Sequence, residues 1–528
     1  MSITNEHEAP RKAGRREWIG LVVLLLPTLL LAMDLTVLHL AVPALTADLK
    51  PTSSQLLWIT DIYGFLIAGS LITMGTLGDR IGRRKLLLIG GGAFAVASVI
   101  AAFSSSAGML IATRALLGIA GATLMPSTMS LIRNMFLDPK QRTVAIGIWI
   151  SGFSVGSAIG PLMGGVLLEH FWWGSVFLLN VPVMALLLIV GPILLPEYRD
   201  PQAGRLDLLS AAMSLVAVLA VIFGIKQVAE HGLTGLAVVS IGLGLTIGVA
   251  FIRRQQVLAD PLIDLKLFAN RAFSVSLATN TLTICSFFGV YLFIAQYLQL
   301  VVGLSPLEAG LWSLPGAIIS VIGSNLSPVL VRWVRPAFVI AGGMALVAAG
   351  FGLLTQIGTD SLAIVVASWI VMSLGFGMTF TLTSDLMVGT APPERAGAAS
   401  AIAETGAEFG GALGIALLGS LGTAVYRSQI ASAIPVDIPA ELAAAAQETL
   451  GGAVAAAGQL GQSTPLAGTL LDASYAAFVS GLQLTSLIGL VVVTTLAIVG
   501  VALLRHIDTH AEHDVPLEPE FAPAPAGD

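Results

Sequence analysis

Four carboxylates and one guanidinium stand in surroundings that are almost wholly apolar. They are Asp34 in LAMDLTVLHLAVPAL, Asp61 in QLLWITDIYGFLIAG, Glu404 and Glu408 in ASAIAETGAEFGGALG, and Arg114 in LIATRALLGIAG. Burial resists ionisation of a carboxyl group because it removes the water that solvates the charge, and an arriving cation reverses that bias. The chemistry on offer is exchange of a proton for a lipophilic cation. Glu404 and Glu408 are four residues apart and share one helical face, where like charges repel and favour a proton on at least one of them when no cation is bound. An arginine inside a bilayer costs several kcal/mol unless it faces protein or water, so Arg114 needs a partner or a proton-linked role. The structural alternatives are a static pair of Asp34 with Arg114, an Asp61 that only faces an external vestibule, and a glutamate pair in which one member, Glu404 by preference, does the work. Glu308 and Asp385 lie near span ends, where interfacial water explains them. Trp58, Tyr63, Trp149, Phe287, Phe288 and Tyr291 could line a cation pocket through cation–π contacts, but ordinary packing or lipid contact is the first reading for any single one.

Other chemistries find little support. One cysteine, Cys285, cannot form an intramolecular disulfide, and no Cys/His cluster has metal-ligand spacing, so neither a metal nor a cofactor is expected. None of the six lysines follows a glycine, which excludes a Walker A loop and leaves an ion gradient as the energy source. Gly152-Phe-Ser154-Val-Gly156 fits a hydrolase nucleophile pattern but lies in an apolar helical run instead of a strand-to-helix turn. The net charge of -6, without a basic stripe interleaved with aromatics, gives no sign of a nucleic-acid partner.

The elements that must position these groups follow from composition. Of 528 residues 56% are apolar and only 11% charged, against about 25% charged in a soluble chain. The charges cluster, leaving long uncharged stretches, each near the roughly 20 residues a bilayer crossing needs. Spans are predicted at 17–45, 56–78, 86–104, 108–133, 143–168, 173–196, 208–228, 234–253, 272–301, 306–331, 336–357, 361–385, 398–425 and 479–505, fourteen in all. The first follows Arg11, Lys12, Arg15 and Arg16 as a signal peptide would, but its apolar run is too long and no cleavage site follows, so it is read as a retained helix. With the N-terminus inside, 21 of the 25 Lys and Arg fall on the cytoplasmic side; Lys50, Lys226 and Arg427 fall outside, and Arg114 in the membrane. Both termini are therefore expected in the cytoplasm. Asp34 lies about 25 Å along the first helix at 1.5 Å per residue, and Asp61 at a similar depth on the second.

Residues 428–478 form the one long loop, external on this topology. It is rich in Ala and Gly and is read either as a short helical hairpin against the outer face or as a flexible linker. The Pro- and acid-rich tail from His510 to Asp528 is expected to be disordered.

After the second span comes Gly75-Thr-Leu-Gly78-Asp79-Arg80-Ile-Gly82-Arg83-Arg84-Lys85. Its glycines permit a tight turn, and Asp79 is placed to meet a helix N-terminus or an arginine in one conformation and release it in another. The fifth span carries GSAIGPLMGG, with Gly156, Gly160, Pro161, Gly164 and Gly165, a spacing that permits close helix contact and a proline bend. The sixth opens with Trp173-Gly-Ser-Val-Phe177-Leu-Leu-Asn180-Val-Pro182. Together with Arg114 in the fourth span and Asp34 in the first, these stretches resemble the signatures of the major facilitator superfamily and, within it, the fourteen-span drug:proton antiporters of the group typified by QacA, SmvA and LfrA. His39 stands where that signature usually has asparagine. The resemblance runs from about Trp18 to Arg505.

The resemblance implies an all-α polytopic membrane protein with the major facilitator fold: two six-helix halves and two inserted helices. It implies a latch on the outward-facing state at Gly75, Asp79, Arg80, Gly82 and Arg83, an antiporter motif in the fifth span, and proton coupling or cation recognition at Asp34 and the thirteenth-span acids. QacA has a further acid in the tenth span, where this sequence has Ser320 and its neighbours; weaker handling of divalent cations is implied here. The expected organisation is an N-terminal tail to residue 16, a first half at 17–196, inserted helices and linkers at 197–271, a second half at 272–505 and a tail at 506–528. The expected function is proton-coupled export of lipophilic cationic drugs, dyes and quaternary ammonium biocides across a bacterial inner membrane, by a monomer whose partners are those cations, protons and the bilayer. Export of an endogenous metabolite or lipid precursor on the same scaffold is the alternative, and an embedded receptor or enzyme is the remaining rival.

Overall fold

The computed structural model describes residues 12–199, 207–258, 261–390, 396–435, 437–461 and 464–505. Arg11, Arg205, Arg395 and the C-terminal tail expected to be disordered fall outside them. Within them the chain is helical, as a lipid-exposed backbone that must satisfy its own hydrogen bonds requires. The first half holds α1 (Arg15–Leu49), α2 (Ser53–Ile81), α3 (Arg83–Ala102), α4 (Ala107–Met135), α5 (Pro139–His170), α6 (Ser175–Leu178) and α7 (Asn180–Leu194). Next come α8 (Leu208–His231) and α9 (Gly235–Val257). The second half holds α10 (Arg271–Gln296), which runs on through a π-helical turn at Tyr297–Val301, then α11 (Pro306–Leu330), α12 (Pro336–Leu354), α13 (Leu362–Gly389), α14 (Ala396–Ala433), α15 (Ala440–Glu448), α16 (Leu450–Leu460) and α17 (Pro465–Leu504). Thirteen helical stretches are long and apolar enough to cross a bilayer, with α6 and α7 together making one, and the 32-residue α5 supplies a fourteenth.

Polar residues in the connections start these helices. Thr52 and Gln55 form a capping box at α2, as do Ser305 and Glu308 at α11; Ser106, Asp138, Asp207, Thr234, Asn270 and Thr464 cap α4, α5, α8, α9, α10 and α17. Glu308 is thus committed to its own helix end. Burial works to raise the pKa of Asp207, but hydrogen bonds from Ser210 and Arg254 outweigh it and hold the carboxyl below its usual value. Those bonds also tie the start of α8 to the end of α9, with Arg254 Nη2 3.0 Å from Asp207 Oδ1.

Helix pairing repeats between the halves. In the first, α1 packs on α5, α2 on α4, and α3 on α4 and α7; in the second, α10 packs on α14, α11 on α13, and α12 on α13 and α17. Each half thereby encloses its own apolar core. The halves meet through α2 against α14 and α5 against α11, again equivalent pairs. Such internal symmetry is the architecture of alternating-access transporters, with the site between the repeats. The two inserted helices pack mainly on each other, and α8 alone reaches α2 and α14.

Two departures from the sequence expectation have a common origin. Helix α14 runs eight residues past 425, and α17 starts fourteen residues before 479. Both extensions carry polar residues that lower their hydropathy, and each is buried by protein along one face, at Tyr426 and Ile430 of α14 and at Ala467, Leu470, Ser474 and Ala477 of α17. Between them α15 and α16 fold back on α17 and on the end of α1, around a small core of Ile438, Ala446, Ala453, Ala457 and Leu470. Tyr426 Oη donates to the Ala446 carbonyl at 2.7 Å, and the Ser53 backbone N–H donates to Glu448 Oε2 at 3.0 Å.

A third departure concerns charge. Lys226, counted on the outer side, lies inside α8 and is only 2% exposed. It falls within the predicted span 208–228 but near its outer end, where a lysine is normally assigned to the water boundary.

The hydrogen bonds and ring contacts that join the two halves among the described residues run from mid-helix to the end of the bundle bearing α15 and α16. Phe65 meets Phe409 at 6.1 Å, His39 meets Tyr291 at 5.1 Å, Gln299 donates to the Leu40 carbonyl at 3.1 Å, and Ser53 bonds Glu448. The halves are therefore clasped at this hairpin end.

Candidate functional site

Asp34 and Arg114 are brought together by α1 and α4, which are otherwise in sparse contact. The guanidinium Nη1 bonds Asp34 Oδ2, Nε donates to the Ile59 carbonyl at 3.2 Å, and the Tyr63 ring lies 4.3 Å from the guanidinium carbon. Arg114 is 1% exposed. It fits because Gly118, one turn on, lets α4 lie against α2: a Cβ there would stand 2.6 Å from the Tyr63 carbonyl oxygen. A small cavity opens beside Asp34, bounded by Met33, Val37, Phe177 and Asn180. The pairing weighed as an alternative in the sequence is present in the structure.

Asp61, 1% exposed on α2, is not open to a vestibule. Lys226 of α8 places Nζ 2.7 Å from Asp61 Oδ2 and 3.8 Å from the centre of the Trp58 ring. The two form a close ion pair whose side chains are both buried. Sequence reasoning missed this lysine; the signal was a cation inside an apolar span, five residues before the end of its helix.

Glu404 and Glu408 lie on α14 opposite α2. A Cβ at Gly64 would stand 3.7 Å from the Glu408 backbone oxygen, which places this turn beside the middle of α2. Both glutamates are half-buried, and neither has a cation or hydrogen-bond donor as a partner among the described residues. The site thus contains four carboxylates and two fixed cations. Two negative charges are left for a mobile species to balance.

The aromatic residues divide. Trp58 and Tyr63 face the two cations, while Trp149 is packed in the first half and donates to Thr128 at 3.2 Å. Phe287 and Tyr291 join Trp369 and Phe376, which the sequence did not single out, in a stack: Phe287–Phe376 at 4.3 Å and Tyr291–Trp369 at 4.9 Å. Phe288 flanks it, 6.4 Å from Tyr291. This stack on α10 and α13 reaches α1 through His39.

At the opposite end of the bundle Asp79 holds Arg83, with Nη2 2.5 Å and Nε 2.8 Å from Oδ1, and Arg83 also reaches the Pro126 carbonyl at 3.4 Å. Gly82, at φ 111°, joins α2 to α3 in a backbone form that side chains disfavour, and a Cβ there would meet the Glu197 carboxylate. Gly75 has room, and Arg80 is exposed with no partner among the described residues. Missed were Arg84, which donates to the Leu195 carbonyl at 2.9 Å, and Glu197, which accepts from the Arg84 backbone at 3.1 Å. The loop is strapped to the end of α7.

The glycines of α5 serve two neighbours. Gly156, Gly160 and Gly164 face α1, where added Cβ atoms would collide with the Leu29 carbonyl, Thr36 Oγ1 and Val37. On the other side Gly165 approaches Leu307, and the Pro161 carbonyl fills the space above Gly310 of α11. One helix therefore contacts both halves. Gly156→Val is expected to push α1 off α5 at a cost of about 1–3 kcal/mol and to abolish transport. Gly147→Val, on the same helix where a Cβ meets nothing, is the control. Thermal unfolding in detergent and vesicle efflux check both. Two further tethers fix the sixth crossing: Trp173 Nε1 donates to Asp48 Oδ2 at 2.6 Å and Asn180 Nδ2 to Ser98 Oγ at 3.1 Å.

Comparison with known proteins gives concordant matches. The model of the Major Facilitator Superfamily matches residues 24–415. The chain is 44% identical over 492 residues to the multidrug efflux pump LfrA of Mycolicibacterium smegmatis, covering 93% of this chain and 97% of that one. It is 40% identical over 476 residues to the methyl viologen resistance protein SmvA of Salmonella typhimurium, covering 88% and 93%. Among solved structures, an inward-facing, unoccupied bacterial homologue of the human lysosomal transporter Spinster superposes with a TM-score of 0.67 at 18% identity, over 93% of this chain and 98% of that one.

Proposed function

Because the chain belongs to the Major Facilitator Superfamily and is a multi-pass membrane transporter and not an enzyme, we propose that it is a proton-coupled antiporter exporting lipophilic organic cations. The uncompensated pair Glu404 and Glu408 carries this reading. A bare charge in the bilayer interior costs several kcal/mol, so two carboxylates without fixed partners must be neutralised by protons or by a bound cation. When both ligands compete for the same charge, binding one expels the other, which is the elementary step of antiport. The relatives named for multidrug efflux and methyl viologen resistance support drugs, dyes and quaternary ammonium compounds as the cations. The aromatic stack on α10 and α13 offers them a flat apolar wall.

The basic residues orient the molecule in a bacterial inner membrane with both termini cytoplasmic. Moving Lys226 into the membrane strengthens the asymmetry, since Lys50 and Arg427 alone remain on the outer side. The Asp79–Arg83 loop is then cytoplasmic, the α15–α16 hairpin external, and the clasp at the hairpin end makes this the inward-facing arrangement. In it the latch acid is engaged by its own half. On this reading the functional unit is the monomer, because a single chain is sufficient to bring the charged groups of the site together.

Inverted vesicles energised with a proton gradient test the reading. Ethidium is expected to accumulate until a protonophore is added, and tetraphenylphosphonium is expected to compete. Accumulation that ignores the protonophore would exclude proton coupling.

A further inference from the structure

Lys226 belongs to a helix outside the two repeated halves, yet its ammonium lies in contact with a carboxylate that the site uses. Asp61 and Trp58 are three apart on α2 and so share a face. Between them they present a carboxylate oxygen 2.7 Å from Nζ and a ring whose centre is 3.8 Å away. A carboxylate beside an aromatic face is the recognition chemistry for an organic cation. Asp61 and Trp58 are the only partners this ammonium has among the described residues. It also has somewhere to go. A small pocket between α2, α8 and α14 includes Lys226 in its wall together with Ser53, Ser420, Thr423 and Arg427. Ser420 Oγ is buried there without a hydrogen-bond partner, and Arg427 is turned towards Glu448, 3.6 Å away. A four-carbon stem with free rotors can swing between the two positions.

We propose that Asp61 and Trp58 form a subsite for a lipophilic monocation, or for one end of a dication, and that Lys226 occupies it as a tethered cation which the incoming one displaces. The proposal rests on the organic-cation reading above. It gives the inserted helices a role in transport. In the empty protein they keep a buried carboxylate neutral, and they set the threshold for cation entry. If Lys226 holds the subsite about nine-tenths of the time, the apparent affinity of a free cation is cut about tenfold. A merely structural clasp predicts otherwise, since its removal would loosen α8 without improving binding.

The probe is tetraphenylphosphonium, bound to the purified full-length protein in detergent. Lys226→Met is expected to bind it about tenfold more tightly than wild type, and Asp61→Asn on that background to cancel the gain. In the unmutated protein, tetraphenylphosphonium is expected to raise reductive methylation of Lys226, read by mass spectrometry, at least about threefold, because displacement brings the amine to water. This second measurement stands even if the variant fails to fold. Unchanged labelling, or a folded Lys226→Met with wild-type affinity, overturns the proposal. Energised ethidium efflux by the same preparation separates the two readings. Efflux without these responses rejects the tethered cation alone, whereas absence of both efflux and cation binding rejects the antiport function with it.

Discussion

Asp34→Asn is expected to abolish proton-driven ethidium accumulation in inverted vesicles while the protein still inserts and elutes as a single species. The substitution keeps the shape of the side chain and removes its charge, leaving Arg114, buried at 1% exposure, with neutral partners alone: the new amide oxygen, the Ile59 carbonyl and the Tyr63 and Phe177 rings. Breaking a buried ion pair from one side costs about 3–5 kcal/mol, most of it the penalty of the abandoned charge. A lower unfolding temperature is therefore expected alongside lost transport. The double variant Asp34→Asn, Arg114→Gln separates the two consequences. It removes both charges and should recover much of the stability. If the carboxylate is needed for coupling, transport stays absent in the stabilised double variant. If the pair is only a clasp, transport returns with stability. Undiminished transport by Asp34→Asn alone would remove Asp34 from the mechanism.

These acids differ in how much of their role a sequence can disclose. Apolar runs and the clustering of charge were enough for the helices, because burial in lipid leaves the backbone a single solution. Asp34, Asp61, Arg114, Glu404 and Glu408 stood out for the same reason: each is a charge where charge is expensive. What the sequence left open was pairing: Asp34 with Arg114 stood as an alternative reading, and Asp61 with Lys226 was not foreseen. Arg114 reaches Asp34 across 80 positions and Lys226 reaches Asp61 across 165, and no local spacing encodes either contact. Lys226 was further hidden by its place near the end of a span, where a lysine usually marks the water boundary. The aromatic stack was half legible. Phe287 and Tyr291 were among the aromatics named for cation–π contacts, whereas Trp369 and Phe376 lie in an apolar run where aromatic residues are ordinary.

Helix ends failed for a different reason. Hydropathy finds the lipid-facing part of a helix and stops there. The last turns of α14 and the first of α17 are covered along one face by α15 and α16, and Ser428, Gln429, Ser432 and Asp472 stay exposed on the other, so hydropathy falls while the helices continue. The glycines of α5 were recognised as packing residues, but the structure adds that they serve α1 and α11 at once. A transporter that rocks one half against the other needs a helix touching both, with small residues where backbones slide. Gly156 and Gly165 occupy two sides of that helix, and a methyl group at either meets main-chain atoms, which cannot rotate away.

Replacing both free carboxylates, Glu404→Gln with Glu408→Gln, is expected to uncouple the protein. The site holds four acids and two fixed cations, so the double substitution brings its fixed charge from two negative to zero and removes the competition between proton and drug. Tetraphenylphosphonium added to wild-type protein in weakly buffered detergent should release protons, since cation and proton cannot both satisfy the same carboxylate. The double variant should release none from this pair, and energised efflux should fall to the level of vesicles treated with protonophore. The single variants read the division of labour. Because the residues are one turn apart and repel each other, their titrations belong to the pair, and either survivor is a different acid once its neighbour is neutral. Each single variant is therefore expected to lower the proton yield and shift the pH dependence of transport, not to reproduce half of the wild-type curve. A double variant that still releases the full wild-type count would move coupling to Asp34 and Asp61, where a proton must compete with a resident arginine or lysine.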